Sequence, residues 1–127
     1  MTVGMKDAAP HIESLSAVTL ATADMGRALA FYASLGFSLT RGGADAPLSC
    51  FELGSTAFNL IAQSHGAVTG WGRVIFYVSD VDAFHAKAVA AGHRPQDVPR
   101  DAPWGERFFH LTDPDGHELS FARPLAK

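Results

Sequence analysis

The sequence predicts an α+β protein made of two βαβββ pseudo-repeats. Three observations carry this. Apolar residues switch twice from alternation to helical spacing, and an aspartate and a glycine bracket each helical stretch. In addition, Asp24 and Asp80, Gly36 and Gly92, and Val18 and Val74 are each 56 positions apart.

Residues 1–11 hold Gly and Pro without periodicity and read as a flexible arm. "LSAVTLAT" (15–22) alternates as a half-buried strand does. Asp24 is a natural N-cap, Met25, Ala28, Leu29, Tyr32 and Leu35 recur at helical spacing, and Gly36 supplies a left-handed stop. "FSLTR", "SCFEL" and "AFNLIA" follow as strands, with a Gly-Ser turn at 54–55, so module one covers about 12–64. "GGADAP" (42–47) has no following Lys-Ser or helix start and reads as a loop.

Module two, about 71–125, repeats the order. "GRVIFYVS" (72–79) is its strand and Asp80 its cap, while Val81, Phe84, Ala88 and Ala91 form its helical stripe and Gly92 its stop. Its three further strands are expected near 94–98, in "RFFHLT" and in "ELSFAR". A strand–helix start followed by a three-strand meander gives a curved mixed sheet. The helix covers one face and the other is left concave.

Composition narrows the function. The 127 residues, 47% apolar and 18% charged, suit one domain with a proper core. A net charge of -3 provides no basic patch for nucleic acid and no polybasic run for anionic lipid. Cys50 is the only cysteine, which excludes an intramolecular disulfide and points to a reducing, cytoplasmic setting. There is no signal-like h-region and no apolar run long enough to span a membrane. Phosphate-loop, dinucleotide, nucleophile-elbow and paired-Cys zinc motifs are all missing.

Strand parity nominates the site. Phe109, Leu111, Leu119 and Phe121 belong to the helix-packed face, so even-numbered residues of the last two strands pair with each other. His110, Glu118 and Ser120 then share the concave face, as do Arg73, Ile75 and Tyr77 of the earlier strand. His110 beside Glu118 offers an acid/base pair or two ligands of a displaced metal, or a plain interstrand hydrogen bond. Arg73 can clamp a ligand carboxylate or phosphate, or pair with Glu118 or Glu52. Tyr77, Phe108 and Trp104, the last in the loop 99–106, offer rings for a ligand, and Trp71 in the linker does likewise; core or dimer packing is the competing role. Cys50 reads as a small hydrophobe, and His11, His65, His85, His93 and His117 as solvated.

"VTLATADM…AFYASLGF", "FYVSDVDAFHAKAVAAG" and "FFHLTDPDGHELSFARP" together resemble the vicinal oxygen chelate superfamily over roughly residues 12 to 125. That superfamily includes glyoxalase I, extradiol dioxygenases and bleomycin-resistance proteins. The resemblance implies a homodimer. It also implies, for metal-using relatives, two ligands per module, at positions held here by Ala17, Asn59, Arg73 and Ser120. Alanine has no donor atom, guanidinium repels a cation, and amide and hydroxyl oxygens are weak ligands for zinc, iron or nickel. Glu118 stands two residues before the expected ligand position, about 7 Å along the strand. The expectation is therefore a binder without a metal cofactor, its partner a small anionic or aromatic molecule. The competing expectation is a lyase, isomerase or dioxygenase that uses a displaced metal or the His110/Glu118 pair. A domain that only scaffolds or regulates a partner is the third.

Overall fold

The computed structural model describes residues 9–64 and 68–126; most of the expected arm, and His65, lie outside the described residues. In chain order the elements are β1 (Ala17–Thr22), α1 (Met25–Ser34), β2 (Leu39–Arg41), β3 (Leu48–Leu53), β4 (Thr56–Ala62), β5 (Arg73–Tyr77), α2 (Val81–Ala90), β6 (Arg100–Asp101), β7 (Glu106–Thr112) and β8 (Glu118–Pro124). This is βαβββ twice.

Both helices start and stop for the same local reasons. The Asp24 carboxylate accepts the Arg27 N–H and the Asp80 carboxylate accepts the Ala83 N–H, each at 3.0 Å. At the other ends Gly36 and Gly92 take φ of 97° and 94°. The residue after each glycine closes the last turn: Phe37 N–H donates to Tyr32 O and His93 N–H to Ala88 O. This doubled Schellman arrangement needs the left-handed conformation that glycine adopts without strain.

The curved sheet is two four-stranded sheets, in the orders β1-β4-β3-β2 and β5-β8-β7-β6. Each is mixed. Its first and last strands run parallel and the meander is antiparallel. One expected strand is misplaced: the segment near 94–98 is not a strand, and the short β6 begins at Arg100. Pro95 and Pro99 have no N–H to donate to a ladder, so regular pairing waits until both have passed.

The helix-packed faces of the two sheets join in one aromatic core. Phe37 and Phe58 of module one both meet the ring of Phe76 in module two edge-on, at 5.1 and 5.3 Å. Met25, Ala28, Tyr32 and Leu35 are buried as their spacing predicts, and Phe31 joins them against His93. Ala91, expected on the stripe of the second helix, is exposed, because that helix ends one residue earlier.

A polar clip fastens the modules. The turn 113–117, "DPDGH", sits at the junction of β1 and α1. Asp113 accepts the Tyr32 hydroxyl at 2.7 Å across the seam. Its other oxygen accepts the N–H groups of Asp115 and His117, both at 2.9 Å. Asp115 accepts the Ala23 N–H and pairs with Arg27. His117 is buried rather than solvated: its Nδ1 accepts from the Trp71 indole, and its Nε2 lies 2.8 Å from Ala21 O. His93 is also half-buried rather than solvated, with Nε2 2.7 Å from Ser34 Oγ. His85 rests edge-on against Phe109 and His11 is exposed.

Burial and the neighbouring Asp113 carboxylate push the Tyr32 hydroxyl far above the ordinary phenol range, so it remains a donor. Tyr32→Phe would remove the seam donor to that carboxylate oxygen and leave a buried acceptor short of a partner. We expect a loss of about 1–3 kcal/mol in urea unfolding. A loss below about 0.5 kcal/mol would show that the clip does not hold the seam.

Candidate functional site

The open face of the second sheet presents a hollow of about 320 Å³. Register decides its contents. Phe109 pairs with Phe121 and Leu111 with Leu119 on the buried side, which leaves Phe108, His110 and Ser120 facing out. Arg73 and Ile75 arrive on the same face from β5.

Arg73 anchors the floor. One guanidinium nitrogen donates to Glu118 Oε1 at 2.7 Å and another to Ser120 Oγ at 3.1 Å. Of the two ion-pair partners offered by the sequence, Glu118 is the one taken. Both side chains stay partly exposed, at 31% and 40%, so the pair resembles a surface ion pair in strength, about 0–1 kcal/mol.

His110 stands directly opposite Ser120, whereas Glu118 stands opposite Thr112. His110 and Glu118, offered by the sequence as a pair, share the open face but are not directly opposed. The carboxylate beside His110 is that of Asp97 instead. Its Oδ1 accepts the His110 backbone N–H at 2.8 Å, and its Oδ2 lies 3.3 Å from His110 Nδ1 and 3.0 Å from Arg100. Gln96 N–H also donates to His110 O, so residues 96–97 replace the missing strand partner. Burial first, and then the Arg73 cation, lower the His110 pKa, with Arg100 adding to the effect; Asp97 and Glu118 oppose it.

Of the predicted aromatics, Trp104 and Phe108 line the hollow and Tyr77 stands beside it on β5. Tyr77 and Trp104 are 62% and 70% exposed, yet one carboxylate orients both. Glu106 accepts the Tyr77 hydroxyl through one oxygen and the Trp104 indole N–H at 3.1 Å through the other. Phe108 is not a free stacking surface. It is buried beneath Trp104, His110 and the Arg100 guanidinium, which lies 4.8 Å from its ring centre. Trp71 belongs to the polar clip, away from this hollow.

Asn59 lies in the other sheet, donating to Thr19 Oγ1 at 3.3 Å, and its Oδ1 is buried without a partner. Cys50 pairs with it across the strands and is partly buried. The two sheets are aligned alike: Ala17 faces Ala57 as Arg73 faces Glu118, and Thr19 faces Asn59 as Ile75 faces Ser120. The donor chemistry at these positions does not suit a divalent ion: Ala17 has no donor, Asn59 offers a single neutral amide oxygen, and the Arg73 cation donates to Ser120. Among the described residues no three His, Cys, Asp or Glu side chains converge.

A larger hollow, about 500 Å³, lies at the module seam, but among the described residues Tyr77 is the only titratable one lining it. The titratable side chains Arg73, Arg100, Glu106 and His110 gather instead at the smaller one. Parity alone could have found Glu106, which shares the open face with Phe108 and His110. The pair of prolines around Asp97 was the signal that its segment is not a strand. Among the described residues no helix is long and apolar enough to cross a membrane.

The family model described as "Glyoxalase/Bleomycin resistance protein/Dioxygenase superfamily" matches residues 11–121. No curated protein matches by sequence. Similar solved structures include TioX from Micromonospora sp. ML1 (27% identity, covering 89% of this chain and 100% of that one, TM-score 0.71). A bleomycin-binding protein complexed with bleomycin aligns at 22% identity over 88% of this chain and 98% of its own, TM-score 0.71. Lactoylglutathione lyase from Agrobacterium tumefaciens aligns at 19% over 88% and 94%, TM-score 0.72. At these identities the last two show the fold alone.

The lowered His110 pKa has a thermodynamic consequence. The unfolded chain binds this proton more readily, so the contribution of His110 to stability is fully present above about pH 6.5 and falls as pH drops toward its folded value. His110→Gln should flatten that part of the acid slope, read as the difference in urea unfolding free energy between pH 7.5 and 5.5. An unchanged slope would show that His110 is equally basic in both states.

Proposed function

The chain belongs to the Glyoxalase/Bleomycin resistance protein/Dioxygenase superfamily, and we propose that within it this protein binds a small anionic or aromatic molecule without a metal, on the open face of its second sheet. The observation that carries this reading is Arg73. It stands where metal-using relatives of this fold are expected to place a ligand, and it is held there by Ser120 and Glu118. A guanidinium fixed at the base of a hollow is suited to a carboxylate or phosphate, and its remaining donors are free to form a forked contact. The Trp104 ring at the rim, with Tyr77 tied to it through Glu106, suits a flat, apolar body. The volume of about 320 Å³ matches a ligand much smaller than a glycopeptide drug.

The Arg73–Glu118 pair is too exposed for its geometry to be explained by stability alone, which favours a role in binding. We further propose that the protein acts in the cytoplasm as a homodimer. Its exposed Ile75 and Tyr77, 57% and 62% accessible, support pairing of open faces.

Calorimetry with benzoate, 4-nitrobenzoate and phenyl phosphate should detect binding that is indifferent to EDTA and lost in Arg73→Met. The same variant should lose no more than about 1 kcal/mol in stability. Protein expressed with nickel, iron, zinc and manganese should carry no stoichiometric metal. Near one ion per chain, lost in Glu118→Gln and His110→Ala, would replace this reading with a metalloenzyme of displaced site.

A further inference from the structure

Three side chains on adjacent segments of the same hollow stand in an order that binding alone does not require. Asp97 lies behind His110, with Oδ2 at 3.3 Å from Nδ1 and Oδ1 on the backbone N–H of the same residue. The backbone bond fixes the position of residue 110, and the nearby Oδ2 carboxylate favours the tautomer with the proton on Nδ1. Nε2 is then left as an acceptor, and His110 lines the hollow. Ser120 is the residue directly across from His110 on β8. Side chains so opposed have Cβ atoms about 4.5–5.5 Å apart, within reach of a hydroxyl-to-imidazole hydrogen bond after a rotamer change. Ser120 Oγ accepts from Arg73 at 3.1 Å, so its own proton is free to be donated. Ser120 is 4% exposed, but it borders the hollow.

We infer that Asp97, His110 and Ser120 form an acyl-transfer site in which Ser120 is the nucleophile, His110 the general base and Asp97 its positioning residue, with small aryl or alkyl esters as the substrate class. The inference rests on the hollow being the ligand site proposed above and goes beyond binding. Ser120 Oγ bonds to the ester carbonyl carbon while His110 Nε2 takes the hydroxyl proton. The carbonyl π pair moves to oxygen, and that oxyanion faces the Arg73 guanidinium. Collapse breaks the bond to the leaving oxygen, which receives the proton from His110. Water then attacks the acyl-Ser120 ester with the same base. This releases the carboxylic acid and returns Ser120 to its starting state, with no oxidant or metal entering.

The groups facing His110 also set its pH response. Burial, Arg73 and Arg100 disfavour its protonated form, while Asp97 and Glu118 favour it. The imidazole is thus kept neutral, as a base must be.

The test uses the full chain with 4-nitrophenyl acetate, followed by mass spectrometry of the quenched protein. Expected are a burst of 4-nitrophenolate, an acetyl group on the peptide carrying Ser120, and inactivation by diisopropyl fluorophosphate at that residue. Ser120→Ala and His110→Gln should each lower turnover by about 100-fold or more. Asp97→Asn should lower kcat more than KM. It should also move the acidic limb of the pH profile downward, since the carboxylate that favours protonation is gone. A merely structural Asp97 would leave that limb in place. Turnover that survives in Ser120→Ala, or acetylation elsewhere, overturns the assignment. Binding of 4-nitrobenzoate without turnover of the ester also overturns it, while leaving the binding reading intact. If neither compound engages the protein, both fall.

Discussion

The Asp113 carboxylate is the constraint around which the two halves assemble. It is buried, and each of its oxygens accepts hydrogen bonds: one from Tyr32 across the seam, the other from backbone N–H groups within its own turn. A carboxylate taken out of water survives only with such partners. The β7–β8 turn is therefore held at both oxygens of one carboxylate, and the strands it joins pair without a register shift. That register places His110 opposite Ser120. The geometry of the hollow is thus determined partly at a buried junction on the far side of the sheet.

The two modules share a plan and divide the labour. Both have an aspartate cap, a glycine stop and a parallel closing strand, but only module two makes the clip. Module one meets it with the end of β1 and the start of α1. The open faces differ in the same sense. The first sheet places small residues and an amide where the second places Arg73, Glu118 and Ser120. A guanidinium seated between a carboxylate and a hydroxyl is the feature on which the proposed binding of an anion rests.

Much of this was legible in the sequence, because period-two alternation and capping act locally. The 56-residue repeat, both helices and the outward face of β5, β7 and β8 follow from spacing alone. So does the pairing of even-numbered with even-numbered residues. What could not be read depends on contacts distant in sequence. Asp97 reaches His110 only because Pro95 and Pro99 deny the chain a ladder, turning an expected strand into a loop whose carboxylate replaces a carbonyl as acceptor. Phe108 lost its expected stacking role to Arg100, which covers it. His117 looked like a loop residue with no partner, and is buried because Trp71 and Ala21, both far away in sequence, meet there.

One arrangement at the rim links two rings that have no direct bond to each other. Tyr77 and Trp104 come from different elements, yet each is held through a separate oxygen of Glu106. Their orientations are not independent variables. Any event that rotates or neutralises that single carboxylate removes an anchor from both rings together. The indole of Trp104, in the turn before β7, is thereby coupled to a tyrosine on β5, two strands away in the sheet, so that a change at either ring is felt at the other.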